Sequence, residues 1–211
     1  HKLGRSHARR GEWSAAEAHL EAALDIAGVT AERATTARIL ADWSLAARAQ
    51  GRSEQASTLA LDALAAAESA RDPLGTAQAH NILGILARSR GDYAGAAAQL
   101  KLGLAISETL PDPSSRIASR IAALNSLAMT RADSGDLTQA TALAEQALAL
   151  VVALGDRHRE AALRNNLADL LHAAGRDEEA MTQLKQAVVI FAEIGVDAGD
   201  TQAEIWKLTE W

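Results

Sequence analysis

Hydrophobic and polar residues alternate with a helical period along most of the chain, and the pattern restarts at regular intervals. A glycine marks each restart, and these hinge glycines follow one another at spacings of 40, 40, 44 and 40 residues: Gly11, Gly51, Gly91, Gly135 and Gly175. A glycine just past a helix end takes the left-handed conformation without a Cβ clash. The pattern therefore predicts five hairpins, each with a first helix before its hinge glycine and a second helix after it.

Small and large residues recur in phase with the hinge glycines. The fifth residue after each of them is alanine: Ala16, Ala56, Ala96, Ala140 and Ala180. A large apolar residue stands eight residues before each hinge glycine, and a small residue stands seven before it, for example Leu83 and Gly84 before Gly91. Small residues let two helix backbones approach closely, and large ones fill the adjoining space. Because one hairpin cannot bury its apolar face alone, we expect the hairpins to stack.

These residues resemble the tetratricopeptide repeat, most clearly where Leu83-Gly84, Gly91-Asp92-Tyr93 and Ala96 follow one another. The resemblance covers residues 1–194 and implies an all-α fold, a right-handed α-solenoid of about five antiparallel helix pairs. The period exceeds the ~34 residues of the common repeat. It is similar to the long repeats of kinesin light chains and of MalT-type bacterial ATPase regulators. The extra residues should lengthen each helix by about one turn.

The predicted organisation is a single repeat domain over residues 1–211, with repeats at about 1–28, 31–70, 74–109, 114–154 and 157–194. The helices are expected at 1–10, 13–28, 31–50, 53–70, 74–90, 93–109, 114–134, 137–154, 157–174 and 177–194. Residues 110–115 are predicted to be the longest linker and to account for the 44-residue spacing. Residues 199–211 are expected to form a C-terminal capping helix or, alternatively, a docking tail. The chain starts in what reads as the middle of a helix, so we expect a fragment of a longer protein.

The resemblance implies a peptide-binding groove lined by the first helices. Its candidate residues stand ten, six, three or two positions before a hinge glycine: Asn81, Asn125, Asn165, Ile85, Met129, Asp169, Arg48, Arg88, His172 and Asp133. Asparagine occupies the first of these positions in three consecutive repeats, and its amide can both donate to and accept from a peptide backbone. Asparagine is a poor residue inside a helix, so its recurrence requires a cause. In the alternative interpretation, the same amides bond to neighbouring helices within the stack.

Charge is distributed unevenly along this predicted groove. Arginines dominate its first half, including Arg48 and Arg88, whereas Asp133 and Asp169 make the second half acidic. A partner of opposite polarity would be steered into one orientation. A solvated helix face of mixed charge is the alternative.

Composition excludes several classes of function. The net charge of −6 argues against a nucleic-acid partner, and no apolar run reaches the ~18 residues of a membrane span. The absence of cysteine fits a cytoplasmic location and excludes Cys-zinc sites and thiol catalysis. There is no glycine-rich phosphate loop and no metal-binding histidine spacing. We therefore expect no enzymatic activity, no catalytic residues, no metal and no cofactor.

Three functions remain open from the sequence. The first is a scaffold that binds a protein or peptide in its concave groove. The second is a C-terminal sensor or regulatory segment of a bacterial multidomain signalling protein, such as an ATPase-type transcriptional regulator or a cyclase, where the partner is a domain of the same parent chain. The third is self-assembly through the ends of the array.

Overall fold

The computed structural model describes residues 1–29 and 32–194, which form ten α-helices and no strand. The helices are α1 (Lys2–Arg9), α2 (Trp13–Val29), α3 (Arg33–Ala49), α4 (Ser53–Ser69), α5 (Pro73–Ser89), α6 (Tyr93–Glu108), α7 (Pro113–Asp133), α8 (Leu137–Leu154), α9 (Arg157–Ala173) and α10 (Asp177–Glu193). The predicted all-α fold of helix pairs is confirmed, and every helix boundary lies within about two residues of its prediction. The predicted capping helix at 199–211 lies outside the described residues.

The helices form two compact units. The first unit spans His1–Ala123 and the second begins at Leu124, so the boundary falls inside α7. In the first unit each helix from α1 to α6 packs on the next, and α3 also contacts α5. In the second unit α9 packs against both α8 and α10. Within each unit, packing between successive helices is the stacking that the repeat pattern predicts. The assignment of residues 1–211 to one domain stays a prediction.

The turn inside each helix pair is built on its hinge glycine. All five have positive φ angles, between +71° and +88°, so the predicted left-handed conformation is confirmed. An aspartate after the glycine then caps the second helix in two pairs. The Oδ1 atoms of Asp92 and Asp136 accept hydrogen bonds from the backbone N–H groups of Gly95 and Gln139, at 2.8 and 3.0 Å. A cap of this kind contributes about 1 kcal/mol to helix stability.

The 44-residue spacing arises from a longer helix. α7 contains 21 residues, whereas α3, α5 and α9 contain 17 each. Pro113 is the first residue of α7, where its fixed φ suits the helix and its missing N–H leaves no bond unmade. Asp112 caps the same end, because its Oδ2 accepts from the backbone N–H of Ser115 at 2.8 Å. The connection at 109–112 is the longest between consecutive helices, as predicted, but the prediction that a linker at 110–115 accounts for the 44-residue spacing is wrong.

Small residues on the first helices allow the second helices to approach, as predicted. A Cβ atom built on Gly84 would lie only 2.5 Å from Cγ of Leu100 and 3.2 Å from the carbonyl oxygen of Ala96. At the equivalent position in the second pair, the Ser44 hydroxyl donates a hydrogen bond to the carbonyl oxygen of Ala56 at 2.7 Å. Leu100, Ala96 and Ala56 are completely buried. The close approach of α5 and α6 thus depends on the absence of a side chain at position 84.

Among the described helices, α8 alone is long and apolar enough to cross a membrane by length and composition. Core helices of helical proteins have the same properties. Here one face of α8 is buried in the second unit, through Ala140, Ala144, Ala147 and Val151. The expectation that no membrane is involved stays a prediction.

Candidate binding surface

The asparagine of α7 bonds to the next first helix. Nδ2 of Asn166 on α9 donates to Oδ1 of Asn125 on α7 at 3.2 Å, and both side chains are half-buried. The interpretation in which the amides connect neighbouring helices therefore applies to Asn125. Asn166 was not among the candidate residues, because these were chosen only at positions ten, six, three and two before a hinge glycine.

The first unit contains a contact in the same register. Nε2 of His1 lies 2.5 Å from Oδ2 of Asp42. His1 and Asn125 each stand ten residues before a hinge glycine, and Asp42 and Asn166 each stand nine residues before the next one. In both units, a residue ten positions before one hinge glycine thus contacts a residue nine positions before the next. In the sequence, each of these contacts corresponds to a pair of polar residues 41 positions apart.

Two other asparagines carry an amide oxygen without a partner. Asn165 is 3% exposed, and its Oδ1 accepts no hydrogen bond; Oδ1 of Asn81, in the first unit, is likewise buried and unpaired. Leaving a buried acceptor unpaired costs about 1–3 kcal/mol. In the first unit α6 closes over this region, since a Cβ built on Gly103 would lie 3.6 Å from the backbone nitrogen of Asn81. Each unit therefore holds a first-helix acceptor that the atoms of residues 1–29 and 32–194 leave unsatisfied.

The other candidate residues fall into two sets, one in each unit. In the first unit, Arg48 is exposed on α3, while Ile85 and Arg88 are half-buried on α5. In the second unit, the half-buried residues are Met129 on α7 and Asp169 on α9, and the exposed ones are Asp133 and His172. His172 sits against the hinge turn, with its Nδ1 2.6 Å from Oδ1 of Asp177.

A buried charge cluster on α9 was not predicted. The side chain of Glu160 is 5% exposed and accepts hydrogen bonds from Nη1 of Arg157 at 2.8 Å and from Nε of Arg164 at 3.0 Å. Burial acts to raise the pKa of the Glu160 carboxyl, but the hydrogen bonds from Arg164 and Arg157 outweigh it and hold that pKa below its ordinary value. Three residues within eight positions of one helix carry this cluster, at the spacing of one and two turns.

An open cleft of about 280 Å³ lies beside this cluster, between α9 and α10. We call it the α9/α10 cleft, and its lining residues are Arg157, Glu160, Arg164, Lys185, Gln186, Val189 and Ile190. Within the described part of the chain, no three His, Asp or Glu side chains converge in a way that could hold a metal ion.

Three family models described as tetratricopeptide repeat match the chain, over residues 1–30, 41–111 and 119–193. Several solved structures share the fold. BtubC (BKLC) from P. vanneervenii is 19% identical, with 92% of this chain and 79% of that chain covered and a TM-score of 0.70. A putative kinesin light chain repeat protein from Podosopora anserina is 23% identical, with 93% and 95% covered and a TM-score of 0.62. The apo form of RapI is 15% identical, with 92% and 82% covered and a TM-score of 0.66. No curated protein sequence matches this chain.

Proposed function

Because this chain belongs to the tetratricopeptide repeat family, whose fold is that of a protein-interaction scaffold, we propose that it binds a protein or peptide partner along its first helices. Fold alone does not determine function, so the proposal has to rest on particular residues. The regulatory alternative, in which the partner is another domain of the same parent chain, stays a prediction, and so does the absence of enzymatic activity.

The unpaired amide oxygens of Asn165 and Asn81 carry this proposal. Each needs a hydrogen-bond donor that the described protein atoms do not supply. An extended peptide offers a backbone N–H at every residue other than proline, and those groups need acceptors of their own. Because Asn165 is 3% exposed and its Oδ1 is buried, a peptide N–H would reach this oxygen only after the side chains around it move aside, and one bond would then satisfy both groups. Because such bonds involve only the peptide backbone, they support recognition that tolerates different partner side chains.

Asn125 would add a donor to the same surface of the second unit. Its Oδ1 already accepts from Asn166, so its Nδ2 group remains as the group that can donate to a peptide carbonyl. Asn166 would then act as a positioning residue that fixes the orientation of the Asn125 amide. A donor on α7 and an acceptor on α9 match the carbonyl and N–H groups of an extended chain.

Charge would orient the partner. The candidate set of the first unit includes Arg48 and Arg88, and that of the second includes Asp133 and Asp169. We therefore expect an acidic part of the partner to meet the first unit and a basic part to meet the second.

Affinity capture from host lysate, with quantitative mass spectrometry, tests the proposal. The bait is the chain itself, compared with the triple variant Asn81→Ala, Asn125→Ala and Asn165→Ala. The matched control is Gln139→Ala with Gln146→Ala, which removes two exposed amides from the second helix α8. A partner retained by the chain and the control, but lost from the triple variant, is the expected result. Circular dichroism of all three proteins checks that each remains helical.

The partner found in this way then allows a direct measurement of affinity. The affinities of the triple variant and of the three single variants are compared with that of the unchanged chain. We expect each lost amide bond to weaken binding by about 1 kcal/mol, which raises Kd roughly fivefold. Capture that is equal for all three baits would refute binding along the first helices.

A further inference from the structure

Two histidine rings stack on each other in the first helix pair. The imidazoles of His7 on α1 and His19 on α2 have centroids 5.1 Å apart and planes inclined by 14°, and both side chains are half-buried. They stand four residues before and eight residues after the hinge glycine. In the second pair, the same two positions hold Ala47 and Leu59, which belong to one hydrophobic cluster. The fold therefore brings these positions together but does not require imidazoles there.

The hinge turn fixes the orientation of the His7 ring. The backbone N–H of Glu12 donates to the carbonyl oxygen of His7 at 3.0 Å, and the Glu12 carboxylate contacts Nδ1 of the same histidine. The hydrogen bond from His7 is the main cause that holds the pKa of the Glu12 carboxyl below its ordinary value, so this group is charged near neutral pH. A ring nitrogen that faces a carboxylate carries the proton, because two lone pairs would repel each other. His7 therefore keeps its lone pair on Nε2, which remains for another ligand.

Arg10 would oppose a cation at this place, but its charge is compensated. Its Nε and Nη2 atoms lie 3.1 Å from Oε1 and Oε2 of Glu12. Nη2 also lies 3.1 Å from Nδ1 of His7, although it cannot donate to a nitrogen that already carries a proton. The carboxylate of Glu12 thus orients the imidazole and neutralises the guanidinium group.

We propose that His7 and His19 bind one divalent transition-metal ion of the class that prefers imidazole, with Zn²⁺ as its representative, independently of any peptide partner. Imidazole nitrogen suits Zn²⁺, Cu²⁺ and Ni²⁺. A histidine that ligates a metal commonly donates its other ring N–H to a carboxylate, as His7 does to Glu12. Only two side chains ligate the ion, so the site agrees with the absence of a converging group of three within residues 1–29 and 32–194. Water would complete an open, exchangeable coordination shell.

The spacing of the two rings suits a shared ion. With metal–nitrogen distances of about 2.0–2.1 Å, two imidazoles on one tetrahedral ion have ring centroids about 5 Å apart. The observed separation is 5.1 Å. Because the ring planes are nearly parallel, one ring has to turn about its Cβ–Cγ bond before both lone pairs meet the ion, and this torsion is broad in histidine. Twelve residues separate the two histidines, a spacing outside the usual metal motifs, so only the folded hairpin reveals the pair.

Isothermal titration calorimetry of the full chain with ZnCl₂, at about pH 7.5 where most imidazole is neutral, tests the site. The test variant is His7→Ala with His19→Leu, which introduces the alanine and leucine that the second pair already holds at these positions. The matched control is His158→Ala with His172→Ala, which removes two exposed imidazoles from α9. Circular dichroism checks that all three proteins remain helical.

We expect the chain and the control to bind one Zn²⁺ with equal affinity. Loss of the carboxylate partner of a ligating histidine typically weakens metal binding about 10–100-fold, so Glu12→Gln should raise Kd about tenfold and the test variant should raise it at least about a hundredfold. Equal affinity of the test variant and the chain would overturn the proposal. An equal loss in the two double variants would also overturn it, because the ion would then bind to surface imidazoles without distinction.

Nuclear magnetic resonance of the histidine ring nitrogens gives a second readout, since it reports which nitrogen of each imidazole carries the proton. In the metal-free chain we expect the proton of neutral His7 on Nδ1, and in Glu12→Gln a mixture of both tautomers. One equivalent of Zn²⁺ should shift Nε2 of His7 and one ring nitrogen of His19. A His7 proton on Nε2 in the metal-free chain, or Zn²⁺ shifts confined to other histidines, would contradict the assignment.

Discussion

The contact between Gly84 and Leu100 offers a sharp test of how the helices of a pair approach each other. The perturbation is a double-mutant cycle of Gly84→Ala and Leu100→Ala. A methyl group at position 84 would lie 2.5 Å from Cγ and 2.7 Å from Cδ2 of Leu100, which is completely buried. Carbon atoms pack best at about 3.5–4.0 Å, so Leu100 or the whole of α6 has to move by roughly 1 Å.

The expected energies follow from these distances. Overpacking of this kind costs about 1–3 kcal/mol, and replacing a helical glycine by alanine returns about 1 kcal/mol, so Gly84→Ala should destabilise the chain by about 1 kcal/mol. Leu100→Ala alone should cost about 2–5 kcal/mol, because it leaves a cavity. In the double variant the new methyl group enters that cavity. The combined loss should therefore fall below the sum of the single losses by about 1–2 kcal/mol.

The pair of residues in the double variant already occurs elsewhere in this chain. In the fourth repeat the equivalent positions hold Ala128 and Ala144, both buried, so an alanine pair is compatible with this packing. The free energy of unfolding is measured by urea titration with circular dichroism at 222 nm, for the four proteins of the cycle. The slopes with urea concentration must agree, since a changed slope indicates unfolding in more than one step.

A second cycle serves as the control. Leu20 occupies the position of Leu100 in the first repeat, where it lies against Gly4 rather than Gly84. Gly84→Ala and Leu20→Ala should therefore be additive within about 0.5 kcal/mol. Additivity in the Gly84–Leu100 cycle as well, or a clear stabilisation by Gly84→Ala alone, would refute the claim that a missing side chain sets the distance between α5 and α6.

Three further predictions concern single residues. Arg71 has a φ of +52°, so Arg71→Gly should raise the free energy of unfolding by about 0.5–1 kcal/mol in urea titration. Glu160 has a lowered folded-state pKa, so the stability it contributes is present above the unfolded-state pKa and is lost as pH falls through the folded-state pKa. Urea midpoints of Glu160→Gln should accordingly fall less than those of the parent chain between neutral and acidic pH. Asn165→Leu should stabilise the free chain by about 1 kcal/mol, because it removes the unpaired amide oxygen. The same substitution should weaken partner binding in a pull-down. A destabilised variant would contradict this account.

The helix pairs could be predicted from the sequence because their signals are local. The hinge glycines, the alanines five residues after them and the helical period each act within one pair, and the structure agrees with them. The start of α7 was predicted one residue too late, at 114, because Pro113 was interpreted as part of a linker, although proline also suits the first turn of a helix.

The contacts between repeats could not be predicted in the same way. Asn81, Asn125 and Asn165 share one repeat position, yet Asn125 bonds to Asn166 while the other two retain an unpaired oxygen. Their surroundings depend on how each first helix packs on its neighbours, and no periodicity along one helix encodes that. The Glu160 cluster was missed for a related reason, because charged residues at helical spacing usually mark a solvated face and their burial comes from packing.

The extra four residues of α7 indicate which changes of length this chain can accept. Four residues amount to about one helical turn, so the insertion lengthens the helix and leaves each side chain close to its original direction. Asn125 accordingly keeps its place ten residues before its hinge glycine, and its bond to Asn166 joins residues 41 apart, as the contact between His1 and Asp42 does. An insertion of one residue between Asn125 and Gly135 would instead rotate Asn125 by about 100° around the helix axis and separate it from Asn166. In the evolution of this chain we therefore expect gain or loss of sequence in whole turns or whole repeats, and duplication of a repeat would re-create the joining contacts together with the helices.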